Sequence, residues 1–530
     1  MNKNINIIDL FAGPGGLGEG FSAYKTSDNY FPFKIQASVE KEASAHRTLQ
    51  LRAFYRQFRE TEAPAEYYEY IRNPDNLKKN QLEELKEELF NKYSKQSKAA
   101  IEETLVNPQA LGDEDSDKII DRKLAQLLKD HKGEDFIVIG GPPCQAYSLA
   151  GRSRMSGIEG YRIEDDYRAE LYKEYLKVLH KVSPTIFVME NVKGILSAKL
   201  NNKKIFTEIL KDLHNPGKAL NKRSQSQYRI YSLVESPDEY KDNGMPIYKD
   251  TAFTIKTEEH GVPQTRHRVI LLGIRTDIDI TPETLIKTTC PTTVEAIIDG
   301  IPALRSGLSK GGCDSSKEWF SAIQAAGKSL IKELQKTNTK KHISLIKKHM
   351  KNIRGDLARG NSRFVPSKSN GFHADCPKAL KKWIYDSKLG GYANHETKAH
   401  MLEDLKRYLW ISTYGELNGE SPKSKDFPKF LAPKHKNWKS GDHADRFKVQ
   451  VRNKSSGTIT CHLSKDGHKS IHYNPAQCRS LTVREAARIQ TFPDNYFFEG
   501  NRTEQYVQVG NAVPPFLAKQ IAGIVFKILN

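Results

Sequence analysis

Residues 136–145 read Phe-Ile-Val-Ile-Gly-Gly-Pro-Pro-Cys-Gln. The four apolar residues predict a buried strand, and the Gly-Gly-Pro-Pro turn predicts a rigid exit from it. Ligands of open α/β folds bind at the carboxyl ends of such strands, so this turn would bring Cys144 to a ligand-binding edge. A lone cysteine is more often a packing residue than a catalytic one, but packing does not require this turn. We therefore predict that Cys144 is a nucleophile.

Further apolar runs predict the other strands of the same sheet. They lie at residues 5–11, 35–39, 186–189, 252–255 and 269–274. Because helical stretches separate them, the pattern predicts an α/β fold with a doubly wound, Rossmann-like sheet.

Two regions depart from this alternation. From about residue 51 to 133 the chain is highly charged, with Leu82, Leu85 and Leu89 at helical spacing. This pattern predicts a helical insertion, which we interpret as a peripheral brace in preference to a partner-binding element. Beyond residue 300 the alternation is lost, and residues 328–354 are strongly basic. We predict a second, loop-rich domain with a basic face there.

These patterns predict how the chain is divided. Residues 1–300 would form the first domain, with the insertion at about 51–133, and residues 301–500 the second. The second domain would contain a helix from Thr482 through Gln490 that offers Leu481 and Ile489 for burial. The apolar stretch in 501–530 would return to pack on the first domain.

Composition narrows the classes of function. The 530 residues carry a net charge of +19, which favours a polyanionic partner such as nucleic acid, although a merely basic protein has the same charge. No apolar run is long enough to cross a bilayer, and the first residues lack the apolar stretch of a secretory signal. The six cysteines are scattered without a Cys-x-x-Cys pair, which argues against zinc and disulfides. We expect a cytoplasmic protein without a metal.

A glycine-rich loop follows the first strand. Gly13-x-Gly15-x-x-Gly18 matches a dinucleotide-binding fingerprint, and Glu40 lies near the position expected for an acid that binds a ribose. Glycines let backbone N–H groups approach a nucleotide closely. NAD and S-adenosylmethionine both suit this loop, and a tight turn without a ligand is the third interpretation.

Four more blocks make the pattern specific. They are Glu190-Asn191-Val192, Gln264-Thr265-Arg266-His267-Arg268, residues 479–493 and residues 508–515. With the glycine loop and the Cys144 turn, in this order, the chain resembles the DNA (cytosine-5)-methyltransferases. The matching blocks cover about residues 1–50, 136–300 and 455–530.

The resemblance implies an S-adenosylmethionine-dependent methyltransferase domain with a smaller target-recognition domain. Cys144 would add to carbon 6 of cytosine, which activates carbon 5 for methylation. Glu190 would contact the ring nitrogen and the exocyclic amine. Arg266 would place positive charge at the ring oxygen or stabilise Glu190, and Arg268 would be a further catalytic residue.

The resemblance also implies a cofactor site. S-adenosylmethionine would lie against Phe11, Gly13, Gly15 and Gly16, with Glu40 on its ribose hydroxyls. Pro142 would touch the adenine edge, and Asn511 with Ala512 would close the site.

The implied partner is double-stranded DNA, methylated at a specific sequence after the cytosine flips out of the helix. A monomeric bacterial or phage enzyme is expected, associated with the nucleoid and paired with a restriction endonuclease that need not touch it. A nicotinamide oxidoreductase would leave the other blocks unexplained. A non-catalytic DNA-binding relative would not need Cys144, Glu190 and Arg266. An RNA cytosine methyltransferase is the remaining alternative, and the long 301–455 region favours duplex DNA over it.

Overall fold

The computed structural model shows a central sheet flanked by helices on both faces. It describes residues 4–73, 79–143, 167–200, 203–242, 244–309, 314–337, 339–433, 438 and 446–530. Cys144, in the segment 144–166, lies outside the described residues.

The strands share one large sheet and several two-stranded ribbons. Those of the large sheet are β1 (Ile5–Leu10), β2 (Phe33–Val39), β3 (Phe136–Gly140), β4 (Ile186–Val192), β7 (Tyr228–Tyr231), β10 (Thr254–Lys256) and β12 (His267–Arg275). The ribbons contain β5 (Lys199–Leu200), β6 (Lys203–Lys204), β8 (Glu239–Tyr240), β9 (Pro246–Ile247), β11 (Gln264–Thr265), β13 (Gly307–Leu308), β14 (Gly360–Pro366), β15 (Gly391–Glu396), β16 (Ala399–His400) and β17 (Ser456–Gly457).

The order of the large sheet is β10-β12-β4-β3-β1-β2, with β7 also paired to β12. The pairs among β1 to β4 are parallel, and β12 runs antiparallel to β4. The predicted strands are confirmed, except that the one predicted at 252–255 begins at Thr254, after a 3-10 turn at Asp250–Phe253. Strand β4 extends through Glu190 to Val192 because β12 pairs with it over its whole length. Short β7 was not predicted from the sequence.

Helices cover both faces. They are α1 (Gly16–Ser22), α2 (Ala43–Arg56), α3 (Ala65–Arg72), α4 (Lys79–Lys92), α5 (Ser94–Thr104), α6 (Glu114–Asp130), α7 (Tyr167–Val182), α8 (Ile205–His214), α9 (Pro216–Ala219), α10 (Val294–Ile298), α11 (Ser316–Leu334), α12 (Lys340–Asn352), α13 (Lys378–Ile384), α14 (Leu402–Asn418), α15 (Val483–Ile489), α16 (Arg502–Asn511) and α17 (Pro515–Leu529).

Alternate strand residues build two cores. Ile7 and Ile137 pack with α1 and α17 on one face, whereas Ile8 and Val138 pack with α6 and α7 on the other. This alternation is what a strand covered on both sides requires. The doubly wound α/β fold is therefore confirmed, and α17 returns to the sheet as the apolar stretch predicted.

The charged insertion is helical, and it contacts both the first helix, α1, and the region after residue 300. Its predicted start at residue 51 lies inside α2, whose Arg52 pairs with Glu19 of α1 at 2.7 Å. Beyond it, Tyr68 donates a hydrogen bond of 2.8 Å to Asp386, in the region after residue 300. The insertion thus braces the first helix of the sheet against the second region.

The second region is more helical than its composition suggested. Helices α11, α12 and α14 pack around Trp319, Leu405 and Tyr408, all fully buried. Lysines dominate α12 and hide its apolar stripe, whereas α14 carries the single lysine Lys406 and has an apolar pattern that the sequence interpretation missed. The division into domains at residues 300 and 500 stays a prediction, and the stretch before residue 500 reaches the glycine loop, where Tyr496 donates a hydrogen bond to the carbonyl of Pro14.

Helix α15 begins where the sequence predicted, since Thr482 caps it together with Glu485. Leu481 and Ile489 are fully buried, as predicted. Buried ion pairs surround the helix, with Arg479 on Glu485 and Arg488 on Asp494, each at 2.7 Å. Removing one partner of such a pair costs about 3–5 kcal/mol, because the other charge is left buried.

Neutral histidines lie beside these pairs. Burial lowers the pKa of His395 to about 4 and those of His400 and His472 to about 3. An unfolded histidine titrates near pH 6.5, so below that pH the unfolded chain binds protons that the folded chain does not. Their contribution to stability is therefore complete above pH 6.5 and is lost as the pH falls toward 3 or 4.

We expect this loss to be measurable at His400. Relative to the His400→Gln variant, the wild type should lose about 1.4 kcal/mol of unfolding free energy per pH unit below pH 6.5. Urea unfolding of both proteins at pH 7.5, 6.5, 5.5 and 5.0 measures the difference. Above pH 7 the two profiles should differ by a constant. Profiles that stay parallel down to pH 5.0 would contradict the prediction.

One helical stretch in the described part of the chain is long and apolar enough to cross a membrane. It is Arg502–Leu529, which combines α16 and α17, and 61% of its most apolar window is buried inside the protein. It packs against α1 and the sheet, so its length and apolar composition are those of a core helix in a folded domain.

Candidate active site

Glu190 and Arg268 lie next to each other near the carboxyl end of strand β4. Glu190 lies on β4 and Arg268 on the neighbouring antiparallel strand β12. Arg268 Nε lies 2.9 Å from Glu190 Oε1. The Arg268 side chain is 16% exposed and the Glu190 side chain is 15% exposed. The two side chains therefore form an ion pair at a position that a ligand can still reach.

The chain that leads to Cys144 leaves the sheet next to this pair. Strand β3 lies beside β4 and ends at Gly140. A Cβ on Gly141 would lie 2.9 Å from Glu190 Oε2 and 3.1 Å from the Glu190 carbonyl oxygen, so the turn passes directly beside this residue. Cys144 follows three residues later, outside the described residues, so its predicted proximity to Glu190 stays a prediction.

Arg266 does not join the pair. Its side chain is 1% exposed, and Nη1 donates to the carbonyls of Ile459 at 2.9 Å and Gly510 at 3.2 Å. Burial lowers the pKa of Arg266, and the positive charge of Arg268 lowers it further. The structure thus places Arg268, and not Arg266, against Glu190, and the alternative role of Arg266 at the ring oxygen stays a prediction.

The glycine loop connects β1 to α1 through left-handed backbone. Phe11 has φ 54°, Gly13 φ 59° and Gly15 φ 90°. A Cβ on Gly13 would meet no atom within 4 Å, so open space lies over this residue. Gly13 is therefore the point of the loop at which a ligand can approach the backbone, and the half-exposed Phe11 lies next to it.

At Gly15 and Gly16 glycine is required for a different reason, namely close packing against neighbouring residues. A Cβ on Gly15 would lie 2.7 Å from Leu49, and one on Gly16 would lie 2.2 Å from the carbonyl oxygen of Val513. Both are buried. Their predicted contact with the cofactor stays a prediction, and Gly16 is where the C-terminal block meets the loop.

Glu40 follows β2 and holds the loop. One carboxylate oxygen accepts from the backbone N–H of Gly13 at 2.7 Å and the other from that of Glu42 at 2.7 Å. Burial raises the pKa of Glu40, and these two hydrogen bonds oppose the shift. The predicted ribose-binding acid thus lies beside the open space over Gly13.

The remaining predicted cofactor residues lie near this edge of the sheet. Pro142 is buried in the turn after β3. Asn511 ends α16 and is exposed, whereas Ala512 is 4% exposed, and its carbonyl accepts from Gln490 at 3.4 Å. Asn511 is therefore the more accessible of the two.

Asp9 was not predicted as a site residue. It lies on β1, is 1% exposed, and burial raises its pKa to about 8. A Cβ on Gly18 would lie 2.9 Å from its carboxylate, so Asp9 lies directly beneath the first helix of the glycine loop. A lone acid in an otherwise apolar strand pattern is the signal that points to it.

The described part of the chain contains no group of three or more His, Cys, Asp or Glu residues that could hold a metal ion. Among the predicted catalytic residues, the titratable groups that the structure brings together are Glu190 and Arg268. Such a pair can bind a heteroaromatic ring through donors and acceptors on one edge, and it can hold a proton beside that ring.

Comparison with known proteins identifies a family match. The model of the family described as C-5 cytosine-specific DNA methylase matches residues 109–221 and 238–527. These ranges include Glu190, the 264–268 block and the C-terminal block.

Individual relatives are similar over the whole chain. Type II methyltransferase M.Bpa9945I of Bacillus paralicheniformis is 31% identical over 99% of both chains. Type II methyltransferase M.AgeI of Thalassovita gelatinovora is 25% identical over 97% of both. A solved structure described as a DNA modification methyltransferase encoded within a prophage, from E. coli, has a TM-score of 0.52 and 18% identity, covering 99% of this chain and 100% of its own. That structure supports the fold.

Proposed function

The chain belongs to the C-5 cytosine-specific DNA methylase family and is a DNA (cytosine-5-)-methyltransferase, and from this premise we propose that it works through a covalent adduct of Cys144 with a flipped-out cytosine in duplex DNA. The observation that carries the proposal is the Glu190–Arg268 pair beside the strand that leads to Cys144. Family membership also supports S-adenosylmethionine over NAD as the ligand of the glycine loop.

The chemistry requires a nucleophile because carbon 5 of cytosine is a poor one itself. The Cys144 sulfur forms a bond to carbon 6, which makes carbon 5 electron-rich enough to accept a methyl group. A free thiol has a pKa of about 8.5, so the site must favour the thiolate or a base must take its proton. After methylation carbon 5 loses its proton, the sulfur–carbon bond breaks, and the aromatic ring returns.

Glu190 and Arg268 activate the ring in this proposal. Glu190 accepts from the exocyclic amine and holds a proton at the ring nitrogen as negative charge develops there. Arg268 is close enough to Glu190 to orient its carboxyl group and to place positive charge near the ring oxygen. This gives Arg268 the role first expected for Arg266.

The chain's residues fit S-adenosylmethionine as the methyl donor. The open space over Gly13 lies beside the Glu40 carboxylate, which has lone pairs left for hydroxyl groups. Phe11 and Asn511 are exposed enough to contact the ligand, with Pro142 in the adjoining turn. S-Adenosylmethionine supplies the methyl group as an electrophilic sulfonium.

The cofactor proposal predicts a binding defect in Glu40→Ala. Loss of a carboxylate that bonds ribose hydroxyls should weaken S-adenosylmethionine and S-adenosylhomocysteine binding about 10- to 100-fold, the range for hydrogen bonds to a charged group. Equilibrium dialysis measures it. Glu42→Ala, two residues away and exposed, is the control and should bind normally. Tighter binding of NAD than of either ligand would contradict the proposal.

The basic helix α12 is the proposed contact to DNA phosphates. Lys347 and Lys348 are exposed on it, and neither has an ion-pair partner within 4.0 Å among the described residues. Helix α12 packs on α11 and α14 through Ile346, so its lysines point away from the core. This agrees with 301–500 as the target-recognition region, whose loops would choose the sequence.

Lys347→Ala should therefore weaken binding to all duplexes alike. The slope of log K against log salt should fall by about one, because one phosphate contact is lost. Fluorescence anisotropy between 50 and 200 mM salt measures the slope. Lys118→Ala is the control, since Lys118 pairs with Glu114 and Asp115 in the insertion. An unchanged slope in Lys347→Ala, or an equal change in Lys118→Ala, would count against α12.

Methyl transfer from labelled S-adenosylmethionine tests the proposed function as a whole. We expect label in duplex DNA at cytosine carbon 5 and none in tRNA. Bisulfite sequencing of DNA from cells that express the chain would identify the target sequence. The protein should bind a duplex with a mismatched target cytosine more tightly than a fully paired duplex, because flipping a mismatched base costs less free energy. Label in tRNA alone would refute duplex DNA as the substrate. Equal binding of the mismatched and the paired duplex would refute the flipping step.

A further inference from the structure

The backbone of Ile459 is held from both sides by the block that precedes Arg268. Gln264 Oε1 accepts from the Ile459 N–H at 2.7 Å, and Arg266 Nη1 donates to the Ile459 carbonyl at 2.9 Å. All three residues are at most 1% exposed. Charge-assisted and buried hydrogen bonds of this kind hold a backbone more firmly than exposed ones do.

The same side chains reach the C-terminal block. Arg266 Nη1 also donates to the Gly510 carbonyl at 3.2 Å. Gln264 Nε2 donates to Gln490 at 2.9 Å, and Gln490 Nε2 donates to the Val509 carbonyl at 2.8 Å. We call Gln264, Arg266 and Gln490 the clasp.

The segments joined by the clasp come from distant parts of the chain. Residues 456–461, which we call the return segment, follow residues 301–455, the part of the 301–500 domain that is expected to choose the DNA sequence, and pair in parallel with β11 through Ser456 and Gly457. The return segment packs so closely on α16 that a Cβ on Gly510 would lie 2.2 Å from the backbone N of Cys461. The clasp thus connects the exit of the recognition region to α16 and to the strand that carries Arg268.

We propose that Gln264 and Arg266 are positioning residues, which hold the return segment and α16 in register with β12 so that Arg268 is correctly placed against Glu190 when the recognition region binds DNA. This inference rests on the proposed function of the Glu190–Arg268 pair. Arg266 itself touches backbone carbonyls and acts through Arg268, two residues later on the same chain. Because the return segment and α16 are closely packed, a small displacement of one is transmitted to the other.

The test replaces the fork of Arg266 by a single ammonium group. Arg266→Lys keeps the charge, but the lysine side chain is one bond shorter, so its ammonium group does not reach the position from which Nη1 bonds both carbonyls. Arg305→Lys is the matched control, because Arg305 is also buried and bonds the carbonyls of Ser306 and Asp314, within the recognition region. Both variants are compared below their unfolding temperatures, so that loss of folded protein does not enter the rates.

Single-turnover methylation of a duplex at saturating S-adenosylmethionine gives the rate, and equilibrium titrations give the dissociation constants for duplex and cofactor. For Arg266→Lys we expect the rate to fall about tenfold or more, with both dissociation constants within about threefold of wild type. For Arg305→Lys we expect a wild-type rate. A wild-type rate in Arg266→Lys would overturn the proposal. So would equal slowing in Arg305→Lys, or DNA binding that weakens as much as the rate, because either pattern indicates a purely structural role.

A milder variant keeps the proposal testable if Arg266→Lys does not fold. Thr458 Oγ1 donates to the Thr265 carbonyl at 2.8 Å, so Thr458→Val removes one bond between the return segment and β11. We expect the rate to fall about two- to fivefold, as for a single neutral hydrogen bond. An unchanged rate would overturn the proposal. Glu190→Gln in the same assay separates the two hypotheses, because a wild-type rate there would refute the proposed function and not the clasp alone.

Discussion

Cys144→Ala should reduce methylation of DNA below detection. The thiolate is the only group in the proposed mechanism that adds to carbon 6, and no other side chain replaces a covalent bond. Binding of S-adenosylmethionine should stay within about threefold of wild type, since the glycine loop and Glu40 are untouched. Transfer of labelled methyl groups measures activity, and equilibrium dialysis measures binding.

The adduct itself can be trapped. On DNA that carries 5-fluorocytosine at the target, wild-type protein should become covalently linked, because fluorine cannot leave carbon 5 as the proton does. The complex should survive denaturing electrophoresis, and Cys144→Ala should not form it. Cys290→Ala is the control, since Cys290 is an exposed free cysteine, and it should form the complex normally. Turnover by Cys144→Ala, or absence of the complex with wild type, would refute the nucleophile.

Glu190→Gln should have the second largest effect. Removing a group that holds a proton on the reacting ring lowers rates by about 10²–10⁴. Arg268→Met should lower the rate in the same direction, because Arg268 Nε lies 2.9 Å from Glu190 Oε1 and orients it. Single-turnover methylation measures both variants, and equilibrium binding of target DNA should change far less than the rate.

Glu258→Gln is the matched control for this second prediction. Glu258 accepts from His267 at 2.8 Å, one residue before Arg268, so it belongs to a half-buried pair at the same strand. Successive side chains of a strand point to opposite faces, so this pair lies away from Glu190. We expect a rate within about threefold of wild type. Equal loss in Glu258→Gln and Glu190→Gln would mean that the strand, and not the carboxyl group, is responsible.

Much of the fold could be predicted because its signals are local. Apolar runs such as residues 136–139 and 186–189 are buried on both faces of the sheet, which leaves a readable pattern. The cap at Thr482 and the apolar stretch of α17 are equally local. Helix α12, after residue 300, was missed because its lysines outnumber the few apolar residues that face the core.

The sequence by itself determined the family, the positions of the parallel strands along the chain and the residue types of the site, because each is carried by short local patterns. Only the tertiary structure decided which arginine meets Glu190. Arg266 and Arg268 are two residues apart and chemically identical, but Arg266 bonds carbonyls at Ile459 and Gly510, about two hundred positions along the chain. Likewise only the structure shows that Gly15 and Gly16 pack closely against Leu49 and Val513, while their predicted contact with the cofactor stays a prediction. A motif specifies what a side chain can do, and the distant segments packed around it decide which way it points.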